Sequence, residues 1–92
     1  MELIDTVSMM NNDDYKERFK AEYYQTKIRY EKLKDFNNKI EASRRTSYFE
    51  VPSKIEMPKH DCPDELLKEQ QSIMGNYLHI LEVRAVIEGI EL

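Results

Sequence analysis

Ninety-two residues allow at most one domain, and 35% charged against 40% apolar residues suits long solvated helices better than a compact α/β core. A net charge of −4 argues against a general nucleic-acid binder, whose binding face is normally basic. The single Cys62 excludes an intrachain disulfide framework, and no apolar run is long enough for a signal peptide or a transmembrane span, so the expected setting is a cytoplasm, with no membrane partner.

Residues 1–10 hold five apolar side chains, Leu3, Ile4, Val7, Met9 and Met10, and are expected to dock as a turn of helix rather than leave that surface in water. Asn11-Asn12-Asp13-Asp14 then supplies cap residues and acids for the positive end of a helix, predicted over about 13–42. Phe19, Tyr23, Thr26, Tyr30, Leu33, Asn37 and Ile40 are spaced alternately four and three apart, which keeps one stripe on one side of that helix, facing a partner helix. Asp14/Arg18, Lys27/Glu31 and Asp35/Lys39, each four apart, are expected to form ion pairs on its outer face.

Residues 43–62 break the helical period with two prolines and a β-branched and aromatic cluster. Twenty residues exceed what a helix–helix turn needs, yet this stretch is too apolar for a disordered linker. Tyr48, Phe49 and Val51 are therefore expected to pack on a helix and leave Arg44 and Arg45 exposed. A second helix is predicted over about 63–88, with Pro63 in its first turn, Asp61 or Cys62 as its cap and Gly89 as its stop, followed by a short apolar tail at Ile90 and Leu92. Its apolar positions cover more than half its circumference, too wide for one partner helix. The fold class is thus all-α: residues 1–92 as one antiparallel two-helix hairpin with a long ordered connecting loop, assembled into a helical-bundle oligomer. The predicted seam is Phe19, Tyr23, Tyr30, Leu33, Ile40, Ile73, Tyr77 and Leu81. Residues 13–42 sum to +1, 43–60 to +2 and 61–92 to −5, and opposite signs favour antiparallel pairing or subunit association.

Several constellations have both a binding and a purely structural meaning. Asn37 in the first stripe, and Gln70, Tyr77 and Arg84 spaced by seven in the second helix, either fix helix register or line a ligand site where Arg84 meets an anion and tyrosines stack on a base. Tyr24 points about 100° away from Tyr23, so it is either a second contact surface or a surface ring with its tip in water. Arg44-Arg45 with Tyr48 is a basic-aromatic cluster suited to phosphate or an acidic protein face, or else a solvated helix end. His60-Asp61-Cys62 has the residue types of a thiol nucleophile but not the spacing, and His60, Cys62 and His79 do not make a metal site. No catalytic residue, metal ligand or cofactor site is predicted, and the chain reads as a non-enzyme. Gly75 in mid-helix costs about 1 kcal/mol relative to Ala and implies a close approach of another backbone or a neutral position.

Two stretches carry a family resemblance. Asp14-Tyr15-Lys16-Glu17-Arg18-Phe19-Lys20-Ala21-Glu22-Tyr23-Tyr24-Gln25 with Tyr30-Glu31-Lys32-Leu33, and Cys62 to Ala85 with its Leu66-Leu67-x-x-Gln70 segment and Met74-x-x-Tyr77-x-x-Ile80-Leu81-x-x-Arg84 run, resemble small helical-hairpin proteins encoded by phages and prophages. The resemblance implies a phage accessory protein in the host cytoplasm. Its expected partners are another copy of itself and a host protein, such as a bacterial defence effector that it inhibits, as anti-CRISPR proteins do. The alternative is an oligomeric sponge that sequesters an anionic signalling nucleotide.

Overall fold

The computed structural model describes residues 1–48 and 55–92, and those residues are helical: a 3₁₀ turn at Leu3–Thr6, then α1 (Val7–Met10), α2 (Tyr15–Thr46) and α3 (Asp64–Glu88), with no strand among them. The molecule is elongated, 54 × 25 × 24 Å. Tyr15 of α2 meets Glu88 of α3, Tyr23 meets Glu82, Asn37 meets Gln71 and Arg44 meets Asp64. The two long helices therefore lie side by side in opposite directions.

Each helix end has a local cause. The Asp14 carboxylate caps α2 by accepting from the Lys16 amide at 3.0 Å. That use removes it from the expected pair with Arg18, whose guanidinium instead donates to the Asn12 and Asp13 carbonyls at 2.8 Å each. Asp35 and Lys39 do pair, at 3.4 Å, whereas the Lys27 ammonium lies 5.8 Å from the centre of the Tyr23 ring. α2 begins at Tyr15 and runs to Thr46, four residues beyond the expected end. Nothing in 43–46 breaks a helix, Arg44 and Arg45 suit the negative end of the dipole, and the Thr46 hydroxyl donates to the Ala42 carbonyl at 2.7 Å. The expected packing of Tyr48 does not occur: its side chain is 93% exposed. Lying just past the end of α2, it has no turn of helix to cover it. Phe49 and Val51 lie outside the described residues.

Pro63 takes the cap position of α3 itself, with extended ψ of 142°, so the helix starts at Asp64 and neither Asp61 nor Cys62 caps it. At the other end Gly89 adopts φ +69°, a left-handed stop that a side chain would strain. The reversal lets the Ile90 amide donate to the Ala85 carbonyl at 2.8 Å, so Ile90 folds back rather than trailing as a tail. Ile90 joins Phe19, Tyr23, Leu78, Leu81 and Ala85 in one buried cluster, with Tyr24 and Tyr30 packed on its edge. Ile40 is buried further along α2, so the core is thickest at one end of the helix pair.

The first ten residues dock, but only Leu3 and Met9 of the five apolar side chains are half-buried, and Ile4, Val7 and Met10 stay exposed. The Glu2 amide donates to the Asp5 carboxylate at 2.7 Å and the fully buried Thr6 hydroxyl donates to the Leu3 carbonyl at 2.7 Å. The segment contacts α2.

Candidate functional site

Between the core cluster and the far end of the pair, α2 and α3 enclose a groove of about 600 Å³. Tyr30, Asn37, Asn38 and Glu41 line it from α2, and Lys68, Gln71, Ser72, Gly75 and Asn76 from α3. It exists because this stretch of α3 carries small and polar residues where its last three turns carry Leu78, Leu81 and Ala85. Gly75 faces not a backbone, as its sequence position suggested, but the Tyr30 ring: a Cβ there would stand 3.5 Å from it, an ordinary contact. The ring therefore forms one wall and bare helix backbone the floor.

The polar wall is ordered. Asn37 is buried, and its NH₂ donates to the Leu67 carbonyl at 3.2 Å and to Gln71 Oε1 at 2.8 Å. Those bonds fix both amides, and leave the Gln71 NH₂ as a donor. Asn37 thus sets helix register, and it also belongs to the groove. Glu41 is held by Arg45 at 3.6 Å, which offsets the one acidic group in the lining. The result is a concave site with an aromatic face, four carboxamides and one lysine. Its size falls within the range of about 300–1,000 Å³ usual for small-molecule sites. Carboxamides present paired donors and acceptors suited to the edge of a heterocyclic base, and an ammonium suits phosphate.

The residues singled out by sequence fall in different places. Arg84 lies outside the groove at the core end. Its Nε pairs with Glu88 at 2.9 Å, its Nη2 donates to the Tyr15 hydroxyl at 2.6 Å, and its guanidinium stacks over Phe19 at 5.0 Å. Both partners lower the Glu88 carboxyl from its ordinary value, the Tyr15 hydroxyl first and Arg84 second. Tyr15 is the residue sequence reasoning did not connect to Arg84, since 69 positions separate them. Arg44 pairs with Asp64, Arg45 with Glu41, and Tyr48 is exposed beside them. Tyr24 is half-buried, edge-on to Tyr23 at 5.2 Å, and lines a shallow apolar recess with Met1, Lys27 and Ile28. The arginines and Tyr24 thus do not converge with one another.

Among the seam residues, Phe19, Tyr23, Ile40 and Leu81 are buried within the chain, Tyr30 and Leu33 are half-buried, and Ile73 and Tyr77 are exposed. Tyr77 donates to Glu22, and Tyr23 donates to Glu82 at 2.8 Å. Burial, aided by the Glu82 carboxylate, pushes the Tyr23 phenol up to about 12.

At the other end His60 and Asp64 form a clasp. His60 Nδ1 lies 2.8 Å from the Pro58 carbonyl and Nε2 lies 2.6 Å from Asp64 Oδ1, while the Arg44 guanidinium forms an ion pair with the same carboxylate, whose Oδ2 accepts no hydrogen bond. Both ring nitrogens face acceptors, which only the doubly protonated ring satisfies by donating twice. The Pro58 carbonyl first, and Asp64 second, raise the His60 pKa above its ordinary value. Because the folded value exceeds the unfolded one, this stabilisation is complete below about pH 6.5 and is lost as pH rises through the folded value. The melting temperature is accordingly expected to fall across neutral pH, and His60→Asn to flatten that part of the profile; an identical slope in the variant would rule the clasp out as its source. No group of His, Cys, Asp and Glu suited to a metal ion occurs among the described residues, and none of the helices is long and apolar enough to cross a membrane.

A family model described as Sequestin matches residues 13–87, more than three quarters of the chain. The chain belongs to the Sequestin family. The Sequestin match spans α2 and α3 as far as Ile87, and so includes every residue that lines the groove. No curated protein and no solved structure gives a significant match.

Proposed function

We propose that this Sequestin-family chain is a non-enzymatic sequestering protein that binds an anionic nucleotide in the groove between α2 and α3. The observation that carries the reading is the groove itself: the Tyr30 ring lying across Gly75, ordered Asn37 and Gln71 amides, and Lys68 at the rim. A base stacked on Tyr30 gains roughly 1–3 kcal/mol, and the amides supply edge recognition that a purely electrostatic site lacks. The family's name supports withdrawal of a molecule by binding, and favours this reading over inhibition of a host defence protein. The resemblance to phage-encoded proteins supplies the setting: a signalling nucleotide removed from the host cell's cytoplasm. The two antiparallel helices act as a hairpin scaffold, and the protein self-associates through the apolar residues left exposed on α3.

Purified protein, heated to release what it holds, is expected to yield a nucleotide by mass spectrometry. Titration calorimetry with mononucleotides, linear dinucleotides and cyclic dinucleotides is expected to give one class that binds at a fixed number of sites per chain. Absence of heat and of thermal stabilisation with all three classes would eliminate the reading.

A further inference from the structure

We infer that a second copy of this chain packs antiparallel along the outer stripe of α3. α3 carries two stripes of heptad spacing, one residue out of step. Leu67, Met74, Leu78, Leu81 and Ala85 are buried or half-buried on the side of α2. Leu66, Ile73, Ile80 and Ile87, seven apart, are 52%, 60%, 54% and 77% exposed. At about 100° per residue the second stripe lies roughly 120° around the helix from the first. A helix with two apolar stripes at such an angle suits two helical neighbours, as in a bundle, and among the described elements α3 has only one. The N-terminal segment contacts α2, not α3.

The spacing identifies the occupant as a helix of matching length. The stripe keeps its seven-residue period from Leu66 to Ile87, about 31 Å of helix, and the helix in this chain with an exposed apolar stripe of that length is α3 itself. Charge fixes the direction. Glu65 and Glu69 flank the N-terminal end of the stripe, and Arg84 sits between Ile80 and Ile87 at the other end. Parallel pairing sets these like charges against their own copies and aligns the two helix dipoles. Antiparallel pairing brings Arg84 beside Glu69 of the second copy, opposes the dipoles, and places Tyr77 next to the two-fold axis. By the same 100° rule Lys68 and Gly75 project on the far side of α3 from this stripe and Ser72 roughly 90° from it, so the face of the groove around Lys68 and Gly75 stays open in the pair.

This inference rests on the self-association proposed above, and the experiment separates the two. Light scattering at micromolar concentration is expected to give twice the 11.1 kDa chain mass. Ile80→Asp is expected to give the single-chain mass with helical circular dichroism retained, because residue 80 is exposed in the single chain. In a Cys62→Ser background, chains carrying Leu66→Cys mixed with chains carrying Ile87→Cys are expected to form a disulfide-linked pair on oxidation. Neither alone should do so, since like positions stand about 31 Å apart along the axis in the antiparallel pair. A single-chain mass for the unaltered protein overturns both the interface and the self-association. A double mass with Leu66→Cys linking to itself, or with no mixed link, overturns this interface and leaves self-association standing.

Discussion

Leu81→Asp is expected to unfold the protein. Leu81 is 1% exposed and sits in the one cluster that joins α2 to the C-terminal turns of α3. Shortening a buried Leu to Ala already costs about 2–5 kcal/mol through lost transfer energy and the cavity left behind. A carboxylate there adds the desolvation of a charge with no cation among its neighbours in the cluster, several kcal/mol more. Small domains have total stabilities near the lower end of about 5–15 kcal/mol, so the sum exceeds what the fold can lose. Far-ultraviolet circular dichroism at 25 °C should show most of the helical signal gone. Leu33→Asp is the control of the same chemistry: Leu33 is half-buried and lies outside that cluster, so the helical signal should survive with a lowered melting temperature. Equal effects at the two positions would mean that the core is not concentrated where the burial places it.

The sequence carried the helices more fully than it carried their faces. Period alone located Phe19, Tyr23, Asn37 and Ile40 on the inward side of α2, because that helix has one apolar stripe and a charged remainder. α3 was harder to read for a physical reason. Its two stripes share the seven-residue period and lie roughly 120° apart around the helix, so spacing cannot say which of them meets α2. That ambiguity put weight on Gln70, which is exposed, instead of Gln71, which holds Asn37. It also set Ile73 and Tyr77 beside Leu81 as one seam, although only Leu81 turns into this chain's core. Tyr15 meets Arg84 and Glu88 at one end of the helix pair from opposite ends of the sequence, and Arg44 meets Asp64 across the connection, and pairings of that range leave no trace in local periodicity. The groove had one visible sign, the run Gln70-Gln71-Ser72 with Gly75-Asn76, the least apolar stretch of the second helix. What the sequence could not supply was the ring of Tyr30 opposite it.

Gly75→Leu is expected to abolish nucleotide binding while leaving the helices folded. A Cβ at Gly75 meets the Tyr30 ring at an ordinary 3.5 Å, and replacing a mid-helix Gly with a good helix former recovers up to about 1 kcal/mol, which offsets the displacement of the ring by the rest of the Leu side chain. The isobutyl group then occupies the space between the ring and the amides where a base would stack. Lys68→Glu tests the other half of the site. Lys68 is exposed, so reversing its charge should shift stability by no more than about 0.5 kcal/mol, yet it replaces attraction to a phosphate with repulsion. Thermal denaturation with and without nucleotide reads both effects at once. At a ligand concentration one hundred times the dissociation constant, binding stabilises the unaltered protein by about 2.7 kcal/mol, which for a chain of this size raises the melting temperature by roughly 10 °C or more. Gly75→Leu should keep a cooperative melt without ligand and show none of that increment with it, and Lys68→Glu an unchanged starting point with a much reduced increment. Full retention of the increment in both variants would place the binding surface away from the groove, with the clusters around Arg84 or Arg44 the next to alter.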